Sequence, residues 1–179
     1  MNAAENPCTA PLIPGRENLD SFRQGFRAML QIGSSAIVDN TNAAHAKVIL
    51  EEMVAMARNS FLVFCGCVSA EVWGSETMAR NLAGAANRGV DVRFLVERAD
   101  DIPDGSPTVA ALRRIGGALF AVRPGAGADH HFAVADARAY RVETDEANRT
   151  AIACANDPRI SGGLDARIRR MLDGASPIA

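Results

Sequence analysis

The apolar and polar positions divide the chain into a patternless opening and a long alternation of helix-like and strand-like segments. Residues 1–17 carry Pro7, Pro11, Pro14 and Gly15 without periodicity, which predicts a flexible N-terminal arm. From Asn18 the spacing changes. Leu19, Phe22, Phe26, Met29 and Leu30 recur at three and four residues and predict a helix capped by Asn18 and stopped at Gly33. That helix and a linker fill residues 18–41. Asp39-Asn40-Thr41-Asn42 then offers capping side chains to a long helix through Ala44, Val48, Leu50, Met53, Val54 and Ala57, ending near Arg58.

Residues 60–68 form a nearly unbroken apolar run, Phe61-Leu62-Val63-Phe64-Cys65-Gly66-Cys67, which suits a central strand buried on both faces. A capped helix over residues 75–88 ends at Arg88-Gly89, and Val90 to Glu97 follows as a strand rich in branched residues. A loop with Pro103, Asp104, Gly105 and Pro107 leads to a short helix through Val109, Leu112 and Ile115, closed by Gly116-Gly117. Strands are predicted over 118–122, 132–136, 138–142 and 150–155. A last helix runs from Pro158 to about Leu172 on the spacing of Ile160, Leu164, Ile168 and Leu172. No internal repeat is present. This order predicts an α/β fold, a mixed β-sheet flanked by helices on both faces, with residues 42–175 as the domain.

Composition narrows the function classes. With 48% hydrophobic and 22% charged residues, the chain has what a single packed core needs and is too apolar for a disordered one. A net charge of -2 and a pI near 5.9 argue against a protein that coats nucleic acid nonspecifically, which needs a basic face to displace counterions. Lys47 is the only lysine, so a local phosphate contact would fall to arginine. The start of the chain has no basic segment followed by an apolar run, and the apolar stretch from Phe61 to Ala70 is short of the roughly 20 residues that span a bilayer. No membrane association is expected, and a cytoplasmic location is. Cys8, Cys65, Cys67 and Cys154 are too few for a disulfide framework in a chain this long and fit a reducing compartment.

The candidate chemistry gathers in Asp129-His130-His131-Phe132-Ala133-Val134-Ala135-Asp136, a short apolar strand entered through two histidines and left through an aspartate. Together with Arg88-Gly89-Val90-Asp91-Val92-Arg93-Phe94-Leu95 and the helix opened by Asn156-Asp157-Pro158, the order of elements over residues 42–173 resembles one half of the phospholipase D superfamily. Active members carry His-x-Lys-x-x-x-x-Asp followed by Gly-Ser-x-Asn. The resemblance implies a phosphohistidine mechanism: one histidine attacks phosphorus, a second from the paired half protonates the leaving group, and lysine with asparagine holds the phosphate oxygens. Laid on that pattern with Asp136 at the aspartate, Asp129 stands at the nucleophile and His131 at the lysine. Glu143, Thr144, Asp145 and Glu146 occupy the Gly-Ser-x-Asn stretch.

These replacements reverse the sign of the site. A carboxylate about 4 Å from a phosphate repels it by about 4 kcal/mol at an effective dielectric near 20, where lysine would attract it as strongly. His131 offsets part of this if protonated, and nearby carboxylates favour that. Sliding the pattern by one makes His130 the nucleophile but puts Phe132 at the lysine and Ala137 at the aspartate, and it turns every side chain to the other face. His45-Ala46-Lys47 with Glu52 imitates the spacing inside a helical segment, where residues two apart do not share a face.

Three further groups have two readings each. Cys65 and Cys67, two apart on a strand, are candidate zinc ligands with His130 and His131, or small apolar packing residues; the second reading is preferred. Arg167, Arg169 and Arg170, with Arg159, are a candidate phosphate face or the solvated side of a helix. Trp73, just after the central strand, is a candidate pocket wall or a core aromatic. No phosphate loop or dinucleotide fingerprint is present, and no cofactor is expected. The sequence therefore predicts a catalytically degenerate phospholipase D-like subunit that binds and assembles. Its edge at residues 129–146, with Asp129 and Glu143, would meet a second copy or another protein, and nucleic acid stands as a second partner. The alternatives are an active phosphodiesterase or nuclease built on His130, His131 and Asp136, and a small-ligand sensory or regulatory module.

Overall fold

The computed structural model describes residues 18–122, 130–145 and 150–178. Fourteen regular elements and one 3-10 turn follow in chain order: α1 (Leu19–Ile32), β1 (Ile37–Asn40), α2 (Ala43–Met56), β2 (Ser60–Cys65), α3 (Ala70–Trp73), α4 (Glu76–Asn87), β3 (Asp91–Val96), a turn at Ala99–Asp101, α5 (Pro107–Ile115), β4 (Leu119–Ala121), β5 (Phe132–Ala135), β6 (Ala139–Asp145), β7 (Thr150–Cys154), α6 (Pro158–Leu172) and β8 (Ser176–Pro177). The strands form a single mixed sheet in the order β1-β7-β6-β5-β2-β3-β4-β8. Its centre, β2-β3-β4, is parallel; β5, β6, β7 and β1 continue it antiparallel on one side.

The apolar run on β2 is buried at all six positions, as its lack of alternation requires. Phe61, Val63 and Cys65 face α1, α2, α4 and α5 in the larger core. Leu62 and Phe64 face the other way, against Ile168, Leu164 and Met171 of α6. The sheet thus has helices on both faces, a thick layer on one side and a single helix on the other. In the thick layer Glu51 and Glu52 of α2 are almost fully buried. Arg23 of α1 bonds both carboxylates, at 2.8 Å to Glu52, and Arg27 bonds Glu52 at 2.6 Å. Those ion pairs, with Phe22 and Phe26, seat α1 on α2.

Where the sequence predicts a linker, Ile37–Asn40 is an edge strand antiparallel to β7. Four residues running into a capping cluster are too few to show alternation, and the strand exists because β7 offers it a free edge. Asp39 and Asn40 accordingly do not cap α2. Asn42 does, its side chain accepting from the His45 N–H.

The β5–β6 hairpin turns through Asp136 and Ala137, both left-handed at φ 55° and 51°. Asparagine or glycine suits such left-handed turn positions, and aspartate tolerates them. Asp136 has a further reason to be there: its carboxylate accepts from the backbone N–H groups of Arg58, Asn59 and Ser60 at 2.7–3.1 Å, tying the α2–β2 loop to the hairpin. Asp136→Ala is expected to destabilise the fold by about 2 kcal/mol, since a charged acceptor of several backbone donors is lost at a partly solvated place. A shifted urea midpoint with an unchanged slope checks this.

Candidate functional site

β2 and β3 end side by side at Cys65 and Val96, and β5 enters beside β2 in the opposite sense, with Phe132 paired to Phe64. His131 is one residue before that pair and so lies level with the carboxyl ends of the parallel strands, where ligands of open α/β sheets commonly sit. The Glu143 N–H donates to the His131 carbonyl at 2.9 Å, which fixes β6 alongside. Arg141 is two residues back from Glu143 on the same strand and therefore on the same face.

The side chains form one chain of bonds along the sheet edge. His131 Nδ1 lies 3.0 Å from Glu143 Oε2, and Nε2 lies 3.0 Å from Glu97 Oε2. Arg141 Nη1 donates to Glu143 Oε1 at 3.3 Å, and its Nε to Asn40 Oδ1 at 2.8 Å. Asn40 Nδ2 in turn donates to the Asn42 carbonyl at 2.7 Å, at the start of α2. The ring of His131 also meets Phe64 edge-on.

Burial opposes charge on His131, but hydrogen bonds to Glu143 and Glu97 and their negative charges outweigh it, so its pKa is raised. Burial pushes Glu143 the other way, and the His131 bond together with the Arg141 charge holds its carboxyl below the usual range. With both ring nitrogens facing carboxylates, the bonds are satisfied together only by an imidazolium, which donates twice. The group then holds two positive and two negative charges.

Above this row lies a cleft of about 330 Å³. Its floor is Val63, Cys65, Ala133 and Arg141 from the sheet. Its walls are Asn42, Ala43, Ala46 and Leu50 of α2 with Val72 and Trp73 of α3, and His131, Glu143, Arg98 and Cys67 stand round it. Arg98 packs on Gly66, where a Cβ would come within 2.6 Å of the guanidinium and push that side chain aside.

The cleft brings together His131, Glu143, Trp73, Cys65 and Cys67 of the predicted candidates. Trp73 serves as both wall and core, 5% exposed and edge-on to Phe94. Burial, with the neighbouring Cys67, pushes the Cys65 thiol far up, which suits packing. Among the described residues no group of three or more His, Cys, Asp or Glu could hold a metal ion. His130 is exposed beside β5 and outside the lining, and Asp136 stands at the other end of β5. Arg167 and Arg170 lie on α6, across the sheet from the cleft-lining α2. Asp129 and Glu146 fall outside the described residues. Glu97, Arg141 and Asn40 were not predicted. Glu97 ends a parallel strand and Arg141 is two residues from Glu143, which were the available signals; Asn40 gave none, because it depends on β1. No helix among the described residues is long and apolar enough to cross a membrane.

No protein-family model and no curated protein sequence matches the chain. Solved structures do. A phospholipase D family member, Nuc from Salmonella typhimurium, superposes with a TM-score of 0.56 at 13% identity over 79% of this chain and 95% of its own. NucT from Helicobacter pylori gives 0.58 at 12% identity over 79% and 99%. TrmBL2, an archaeal chromatin protein with a novel mode of DNA binding, gives 0.60 at 14% identity over 79% of this chain and 53% of its own. At such identities the likeness establishes the fold.

The charge row has a pH signature. A pKa raised above the ordinary 6.5 means that His131 contributes its stability in full below about pH 6.5 and loses it as pH rises through the raised value. Glu143, held below its ordinary 4.5, contributes above about pH 4.5 and loses this as pH falls through its lowered value. These two groups together stabilise most between those limits. Denaturant midpoints measured against pH are expected to fall on the alkaline side, and His131→Gln, which cannot titrate, is expected to flatten that limb. An unchanged limb in the variant would reject the pairing.

Proposed function

We propose that this chain, which has a phospholipase D-like fold, is a binding and assembly subunit that does not cleave phosphodiesters. The observation that carries the reading is the double hold on His131. A nucleophile at phosphorus needs a free ring nitrogen, and an imidazolium donating from both nitrogens has no lone pair to offer. In the phospholipase D pattern Asp129 takes the place of the attacking histidine and His131 that of the lysine, so the nucleophile is missing and the cation in the lysine's place is already held by Glu97 and Glu143. Glu97 and Glu143 add negative charge where a phosphate would approach.

The partner is a protein, either a second copy or another chain, meeting the edge around residues 129–146. A net charge of -2 supports a protein over a polyanion. Nucleic acid is the second reading, favoured by one observation: TrmBL2, described as a DNA-binding chromatin protein, shares the fold.

Purified chain incubated with bis-p-nitrophenyl phosphate, single- and double-stranded DNA and RNA is expected to give no turnover above a protein-free blank. Turnover that His131→Ala abolishes would overturn the proposal. Sedimentation is expected to show self-association or a heteromeric complex that Glu143→Arg weakens, with little retention of DNA at physiological salt. Strong, salt-sensitive DNA binding would select the nucleic-acid reading instead.

A further inference from the structure

Arg141 is a buried cation in the cleft with hydrogen-bonding capacity to spare. Its side chain is 8% exposed, yet it lines an open cavity. Nε is engaged by Asn40 and Nη1 by Glu143, a carboxylate already shared with His131, while Nη2 makes no bond among the described residues. Burial lowers the guanidinium pKa, and Glu143 offsets only part of that, so this buried cation is under-compensated.

Next to it stands the first turn of α2. Of the first-turn N–H groups the Asn42 side-chain oxygen accepts that of His45, its Nδ2 meets the His45 ring Nδ1 at 3.2 Å, and the Asn42 carbonyl takes the Ala46 N–H as the first helical bond. The N–H groups of Ala43 and Ala44 have no partner among the described residues and stand at the positive end of a fourteen-residue helix. Asn42, Ala43 and Ala46 all line the same cavity, and the alanines leave the backbone open to approach. Apolar surface in the lining comes from Leu50, Val72 and Trp73, and the polar side chains of Ser69, Glu71 and Arg98 also line it.

We propose that the cleft binds a small monocarboxylate with an apolar body, its carboxylate held by Arg141 Nη2 and the first N–H groups of α2, and its body against Leu50 and Trp73. A planar carboxylate matches one edge of a guanidinium. A more highly charged anion is disfavoured because Glu143 stands 3.3 Å from the same guanidinium. The volume, at the lower end of small-molecule sites, suits a ligand of amino-acid size. The argument for this site rests on the cleft lining alone, although Arg141 and Glu143 also lie on the proposed assembly edge, and the site would stand if that reading failed.

Trp73 is the only tryptophan in the chain, so its emission reports occupancy directly. The full chain at pH 6 would be titrated with isovalerate, phenylacetate and inorganic phosphate, following fluorescence and confirming by calorimetry. Saturable binding of the two carboxylates, with phosphate neither binding nor competing, is expected. Ala43→Asp puts a carboxylate at the first helical position, where it favours the helix but opposes the ligand, and is expected to weaken binding about tenfold or more. Arg141→Met is expected to do the same. Should that variant not fold, Ala43→Asp carries the test alone. Absence of saturation by either carboxylate, phosphate binding as tight as that of phenylacetate, or wild-type affinity in Ala43→Asp would overturn the proposal.

Discussion

Both nitrogens of the His131 ring end on carboxylates, each at 3.0 Å, and the order of the sheet edge follows from that pair of bonds. Glu97 comes from the parallel half of the sheet and Glu143 from the antiparallel half, so one imidazolium bridges the two. Arg141 extends the bridge to Asn40 on the outermost strand, and Asn40 holds the turn into α2. A ring so engaged has a defined charge and orientation but no reactive lone pair. The same feature fixes the ring's place between the two halves of the sheet.

The helical layer supports this arrangement. α2 delivers its N-terminus to the cleft and is itself buried nearly all round, which is why Glu51 and Glu52 on its back need Arg23 and Arg27. Buried carboxylates without partners cost several kcal/mol, so α1 is bound to the domain by charge as well as by Phe22 and Phe26. α1 and β1 thus belong to the machinery that places α2, although neither lines the cleft.

The sequence made the architecture legible wherever an element carried its own pattern. The unbroken run on β2, the spacing of α1 with its Asn18 and Gly33 ends, and the antiparallel strands after residue 130 could all be read because burial on one or both faces dictates composition. β1 could not, since a four-residue edge strand owes its existence to its neighbour. The candidate site was half legible for the same reason. His131 and Glu143 stood out through the phospholipase D-like spacing, and protonation of His131 by nearby carboxylates followed from charge alone. Glu97 and Asn40 are separated from His131 by 34 and 91 positions and joined it only through strand order. Asp136, the end of the spacing read in the sequence, has a mechanical role in the structure: it anchors three backbone donors at the far end of β5.

That anchor bears on how the molecule comes together. The β5–β6 hairpin closes through a three-residue turn and is local, whereas its docking against β2 joins segments more than seventy positions apart. Glu97 sits on one side of that junction, and His131, Glu143 and Arg141 on the other. A partly folded chain with the hairpin undocked can keep the His131–Glu143–Arg141 bonds within it but not the bond to Glu97, so the row spans the sheet only once the hairpin is docked, with the Asp136 carboxylate as the latch.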